Sequence, residues 1–340
     1  MATYTTIELT DLNSLIRSYG IGEGIKLTPV SAGIENSTYF LETRLQGRSD
    51  SFVTTQFWVL TIYEQRSTSD VAFVLKLHQW LRDAYLPVAH LPAPLLAAGK
   101  LAQQDANTVL SIQGKPAALF EKLPGSHPER ITPRHCAAVG TTLAKFHQAC
   151  RDFPEQHPNL RGLQWVTATA QTQLQTGQLQ PEEHDLLLSV LDRLNPATDE
   201  LSSLPQAVIH GDCFPDNVLF KGETLSGLID FDNACTDAAL LDLSIAMQAW
   251  CFNQDQQADP EKTQALLKAY QNIRPLTPEE QHAWPMIQVW SATRFWLSRL
   301  QFWATSVHEN EKHSGHPKHP NHYRAILNHA LHHPIGLPSH

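Results

Sequence analysis

Val208–Asp230 reads VIHGDCFPDNVLFKGETLSGLID. Within it Asp212 stands five residues before Asn217, and Asp230 closes a short apolar run. The pattern predicts a strand at Ala207–Ile209 that delivers His210, Gly211 and Asp212 into a loop. A hairpin of Val218–Phe220 and Leu225–Ile229 then ends at Asp230. Taken singly, Asp212 or Asn217 fits an ordinary turn just as well. Taken as an ordered set in an apolar hairpin, the three residues match what phosphoryl transfer from a nucleotide requires. One carboxylate accepts or orients the proton of the attacking hydroxyl, while an amide oxygen and a second carboxylate hold magnesium against the phosphates. Asp212 is the candidate base, and Asn217 and Asp230 are the candidate metal ligands. His210 is read as support for the loop. Asp242 either anchors that loop from the following helix or is an ordinary carboxylate near a helix N-terminus.

Working outward, the first 123 residues favour strands and the remainder favours helices. Leu12, Leu15, Ile16 and Tyr19 share a helix face, with Thr10 or Asp11 as its cap and Gly20 as its end. Gly20, Gly22 and Gly24 spell GxGxG, but they follow a helix and are read as a cap and turn. Strands are expected at Thr38–Thr43 and Phe57–Glu64, the second covered on both faces, and at Val109–Gln113 and Pro116–Leu123. A helix is expected over Ser69–Tyr85, followed by a loop at Pro87, Pro92 and Pro94. Another begins at Pro133, after Thr132. This is an α+β pattern in two lobes, 1–123 and 124–340, with the hinge near Glu121–Gly125.

The chain has 340 residues and a formal net charge of −9, which argues against sequence-independent nucleic-acid binding. Its five cysteines are scattered with no CxxC arrangement, so a reducing cytoplasm is expected rather than a disulfide framework. The first residues lack the pattern of a signal peptide, and no run has the length of a membrane span. A small-molecule substrate is expected; the oligomeric state is not legible. Half of the 18 histidines fall between His308 and His340, in a tract read as a solvated tail followed by a helix with Tyr323, Ile326, Leu327 and Ala330 on one face.

His210-Gly211-Asp212, Asn217 and Ile229-Asp230 resemble the catalytic loop and metal motif of the aminoglycoside-phosphotransferase-like kinases. GTTLAKFH at Gly140–His147 is similar to the helix before that loop in the same superfamily. The resemblance implies a protein-kinase-like fold with a small β-rich N-lobe and a larger, mostly helical C-lobe. It also implies ATP and Mg2+, with transfer of the γ-phosphate to a small-molecule hydroxyl. Within the superfamily, SAGIENSTYFL (Ser31–Leu41), VLTIYE (Val59–Glu64), GLIDFDNACTD (Gly227–Asp237) and ATRFWLSRL (Ala292–Leu300) resemble the bacterial homoserine kinases. L-homoserine is therefore the expected acceptor, and threonine biosynthesis the expected context. Another amino alcohol, such as choline or an aminoglycoside, remains open on the catalytic motif alone. So does an ATP-binding regulatory module without turnover.

Further assignments follow from that expectation. Gly33, Asn36 and Ser37 lie where a nucleotide-covering loop belongs, and Glu121 and Leu123 flank the stretch expected to meet adenine through its backbone. The strand VLTIYE carries Thr61 where a kinase usually places a phosphate-binding lysine. Backbone amides, magnesium, Lys76 or Arg66 are the alternatives. An amino-acid acceptor needs a partner for each of its charges. Asp232 is the candidate for its ammonium and Arg294 for its carboxylate, whereas Arg299 serves either the substrate or a structural ion pair.

Overall fold

The computed structural model describes residues 4–30, 35–46, 53–89, 91, 109–253, 255–306 and 319–338. Gly33, the loop around Pro92 and Pro94, and His308–Lys318 of the histidine-rich tract lie outside the described residues. The chain divides into two compact units. The first comprises Met1–Gly125 with Ser226–Asp232, and the second Ser126–Leu225 with Asn233–His340.

The first unit is built on a five-stranded antiparallel sheet: β1 (Glu23–Pro29), β2 (Ser37–Gln46), β3 (Val53–Ile62), β4 (Leu110–Ile112) and β5 (Lys115–Glu121). The strand order is β1-β2-β3-β5-β4. Leu41, Trp58, Leu60, Ile62, Ala117 and Leu119 share a core with Leu12, Ile16 and Tyr19, which belong to a 3-10 turn at Leu9–Leu12 and to α1 (Asn13–Tyr19). The other face packs Ala118 and Phe120 against Val71 and Leu75 of α2 (Thr68–Asp83). Burying such an apolar set is the main stabilising term, at roughly 25 cal/mol per Å². The second face is covered only in part, so Phe57 remains 49% exposed; β3 is not enclosed on both sides as its composition suggested.

Two other expectations are corrected here. Asp11 does not cap α1; it accepts the Glu8 amide at 2.8 Å, ahead of the 3-10 turn. Gly20 does end α1 with a left-handed backbone (φ 61°), but Gly24 belongs to β1 rather than to a turn. The alternation in EGIKLTP is too polar to announce a strand; pairing with β2 supplies what local propensity does not.

Ser226–Asp232 joins the first unit although it lies far along the sequence. The Leu228 amide bonds the Pro87 carbonyl at 2.8 Å, and the Ser226 hydroxyl donates to the Pro124 carbonyl at 2.7 Å. Phe231 meets the His78 ring edge-on at 4.7 Å. A boundary drawn after Leu123 leaves this segment in the C-terminal lobe; these three contacts explain its transfer.

The second unit is mostly helical. It includes α3 (Pro133–Ala149), α4 (Leu163–Thr176), α5 (Pro181–Leu194), α6 (Thr198–Ser202), α7 (Ala239–Cys251), α8 (Pro260–Gln271), α9 (Pro278–Ser306) and α10 (Pro320–His332). Thr132 caps α3 by accepting the His135 amide, with Pro133 in the first turn. Gly140 lets α3 approach α8, because a Cβ there would overlap the Leu266 carbonyl. Strand β6 (Gln206–Ile209) pairs antiparallel with β9 (Cys235–Ala238), and β7 (Val218–Lys221) with β8 (Thr224–Leu228). Among the described residues no helix is long and apolar enough to cross a membrane.

Candidate active site

In the second unit β6 ends at Ile209, and His210 and Gly211 turn the chain into the loop. Gly211 has φ +73°, and a Cβ there would stand 2.6 Å from the Asn233 carbonyl oxygen, so glycine is required twice over. The His210 and Gly211 amides donate to the two carboxylate oxygens of Asp242 at 2.8 and 2.9 Å. Asp242 is fully buried near the start of α7, so its two oxygens fix two consecutive peptide groups of the loop.

Asp242 is itself held by His147 of α3, whose Nε2 lies 3.1 Å from Oδ2. His147 Nδ1 lies 2.7 Å from the Tyr270 hydroxyl of α8. Burial works to raise the Asp242 pKa, but the His147 bond and the His210 amide outweigh it, so the carboxyl sits below its ordinary value. Burial lowers the His147 pKa, with Asp242 opposing. The coherent assignment is an ionised Asp242 beside a neutral His147 that donates from Nε2 and accepts the tyrosine proton at Nδ1.

The loop is closed from within. The Asp212 amide donates to His210 Nδ1 at 3.3 Å. Asn217 Nδ2 donates to the Asp212 carbonyl at 2.9 Å and to Asp212 Oδ2 at 3.2 Å. Trp250 Nε1 donates to the Cys213 carbonyl at 2.9 Å. Asp212 is half-buried and Asn217 is buried. With its nitrogen committed to Asp212, Asn217 turns Oδ1 the other way, as a hard-cation ligand requires.

The first unit holds Asp230, Asp232, Asn36, Ser37, Glu121 and Leu123. Asp230 is exposed and has φ 62°, a left-handed backbone that aspartate tolerates better than most residues. Such strain is often found at functional positions. The Asn36 amide nitrogen donates to Asp232 Oδ2, so the residue assigned to phosphate and the one assigned to an ammonium meet each other. Ser37 is buried; its hydroxyl donates to Glu64 and accepts the Tyr4 and Thr5 amides at 2.8 and 2.9 Å. A hydroxyl has one proton, and this one is spent inside the unit, which corrects the nucleotide-donor role expected for Ser37. Glu121 is exposed at the end of β5 and Leu123 is half-buried.

Several residues at these sites lay outside the sequence-based reading. Lys115 binds Glu64 and the Thr5 hydroxyl, tying the N-terminal segment to the sheet. His147 and Tyr270 complete the support of Asp242. Only GTTLAKFH pointed towards His147, and nothing in the sequence pointed to Tyr270 or to the Lys115 pair. Arg294 is buried, and no salt bridge involves it among the described residues.

Comparison with known proteins identifies the family and the fold. The phosphotransferase enzyme family model matches residues 26–276. A homoserine kinase of Methylobacillus flagellatus is 36% identical over 331 residues, covering 97% of this chain and 96% of that protein. A homoserine kinase of Chelativorans sp. is 38% identical, covering 90% of this chain and 89% of the relative. Among solved structures, the amicoumacin kinase hAmiN in complex with AMP-PNP, Ca2+ and Ami has a TM-score of 0.63 at 15% identity, covering 94% of this chain and 91% of that one. That identity speaks to the fold alone, whereas the family match and the near-full-length relatives reach further. With a pinned His-Gly-Asp loop, an asparagine oriented by its aspartate and this coverage, the chain belongs to the phosphotransferase enzyme family, among the homoserine kinases.

Proposed function

We propose that the chain transfers the γ-phosphate of ATP to the hydroxyl of L-homoserine, giving O-phospho-L-homoserine and ADP. The observation that carries the chemistry is the Asp212–Asn217 bond inside a loop fixed by Asp242. In this reading Asp212 accepts the acceptor's proton and Asn217 Oδ1 faces a cation. In the first unit, Asp230 offers a carboxylate of the kind magnesium prefers. When bound, magnesium would neutralise charge on the phosphates. Because the loop is held before substrate arrives, the work of Asp212 is positioning and proton acceptance, with no covalent intermediate on the protein. Arg294 is the candidate partner for the acceptor's carboxylate. Five buried free thiols suit a reducing compartment, and we place the enzyme in the cytoplasm on that ground.

An ADP-release assay with magnesium across homoserine, choline and aminoglycosides tests the acceptor; preference for either of the others overturns homoserine. Asp212→Ala should lower kcat by about 10²–10⁴ while nucleotide affinity holds. Near-normal turnover in that variant would remove Asp212 from the chemistry.

A further inference from the structure

The second unit contains a cluster of buried donors of which the mechanism above uses only Arg294. Arg294 Nε and Nη1, Arg299 Nη1 and the Tyr323 hydroxyl are all buried, and none has a hydrogen-bond partner among the described residues. Arg294 and Tyr323 are at most 2% exposed. Neither arginine is tied to a carboxylate among the described residues, so the structural ion pair weighed for Arg299 is absent there.

These groups are joined by aromatic rings. The Arg294 guanidinium lies 5.1 Å from the Phe295 ring centre, and Arg299 lies 4.6 Å from that of Tyr323. Phe295 meets Tyr323 at 5.2 Å and Phe214 at 4.9 Å. The cluster abuts the catalytic loop. Phe214 follows Asp212 by two residues, and Arg294 Nη2 lies 3.7 Å from where a Cβ on Gly211 would stand.

Three of the nearby carboxylates already have other work, and the fourth, Asp216, is exposed on the loop. Asp242 holds the loop, Asp237 accepts Asn159 at 2.6 Å and the Ala238 amide at 2.7 Å, and Asp212 accepts Asn217. Burial lowers the pKa of both arginines, but a guanidinium stays protonated and still needs acceptors for its donors. A planar fork of this kind matches a carboxylate in two-point contact. We propose that Arg294, Arg299 and the Tyr323 hydroxyl form a receptor for the α-carboxylate of the acceptor, with α10 contributing through Tyr323. The receptor gives the enzyme its preference for a hydroxylated amino acid over a neutral or purely cationic alcohol. Aromatic walls keep water from competing for the guanidiniums. This assignment rests on the homoserine reading and extends it from Arg294 to a second arginine and to the C-terminal helix.

The test is steady-state kinetics with L-homoserine and L-homoserine amide, which keeps the shape and removes the charge. In the wild type, kcat/KM should fall by at least about 100-fold on the amide, because buried donors then lose their charged partner. In Arg299→Met the gap should shrink to less than about tenfold, through a higher homoserine KM with the ATP KM unchanged. Tyr323→Phe, which keeps the ring and its packing, should raise the homoserine KM in the same direction and guards against a misfolded arginine variant. Equal use of acid and amide by the wild type overturns the receptor while leaving homoserine phosphorylation standing. A rise in the ATP KM matching that for homoserine in Arg299→Met also overturns it, by assigning the anion to the nucleotide. Turnover of neither acceptor by the wild type overturns the homoserine reading itself.

Discussion

Asp242 in the second unit and Glu64 in the first each sit at the centre of a polar cluster, but the clusters do different work. Asp242 is fully buried and accepts two backbone amides and a neutral histidine, so its charge is spread over groups that carry none. Glu64 lies at the end of the sheet and faces the Lys115 ammonium and the Ser37 and Thr5 hydroxyls. The first arrangement fixes the backbone that carries the candidate base. The second fastens an N-terminal segment to a sheet. An enzyme of this family needs its base aligned in advance, because misplacement by an ångström at the reacting centre is costly. Fastening a chain end needs only attraction, which a partly exposed ion pair supplies.

Breaking the first cluster should therefore have the largest effect. Asp242→Ala leaves two buried amides and His147 without an acceptor and should cost about 3–5 kcal/mol in urea unfolding. Turnover should fall with it even at temperatures where the variant is folded. A loss under about 1 kcal/mol would mean that water replaces the carboxylate and that the loop does not depend on it.

The matching change in the first unit is Lys115→Met. Because the Lys115 side chain is 38% exposed, solvent screens much of the attraction. The expected loss is about 1 kcal/mol, seen as a small drop in Tm. The homoserine KM should hold, since the residues proposed above for the acceptor's carboxylate all belong to the second unit. A loss as large as that of Asp242→Ala would erase the distinction between the two clusters.

Legibility in the sequence follows the same division. The β6–loop–β7–β8 segment was readable because its chemistry is local: Asp212, Asn217 and Asp230 sit in one stretch whose apolar alternation gives the strands. The antiparallel sheet was readable wherever strands were apolar, but not at EGIKLTP, where pairing rather than composition makes the strand. Partners that meet across long sequence separations were beyond reach. Asp242 as anchor of the loop was one of its two readings, but its partners His147 and Tyr270 come from two other helices, and Lys115 meets Glu64 across 51 residues. Ser37 shows the opposite failure. Its place between strands suggested a phosphate loop, whereas its burial against Glu64 and the Thr5 amide gives its hydroxyl another role.

The Asp242 cluster should also carry a pH signature near neutrality, from a histidine that the Glu64 cluster lacks; Glu64, with its pKa held below 4.5, against burial, by Lys115 and two hydroxyls, responds only in acid. Burial holds His147 neutral in the fold, while the unfolded chain protonates near 6.5. Below about pH 6.5 the unfolded state thus binds a proton that the native state does not, and stability falls as pH falls. The depressed Asp242 pKa adds a further loss below its ordinary value of 3.8. Urea unfolding at pH 7 and pH 5 should show a smaller difference between the two pH values in His147→Gln than in the wild type. Equal differences would mean that His147 binds its proton alike in the folded and unfolded chain, so that burial does not hold it neutral.

The smallest effect reads the charge cluster of the second unit by titration rather than by turnover. His322, beside Tyr323 on α10, has its pKa pushed down to about 4, by burial first and by the Arg299 charge second. Titration of its ring by NMR should therefore show a midpoint near 4, leaving the ring neutral throughout the physiological range. In Arg299→Met the midpoint should rise but stop short of the ordinary 6.5, because burial, the larger cause, remains. A midpoint that does not move would separate Arg299 from α10 electrostatically, and the Arg299–Tyr323 stacking would then be packing without a shared charge. A full return to 6.5 would say instead that α10 is more open to water than its buried Tyr323, Ile326 and Leu327 imply.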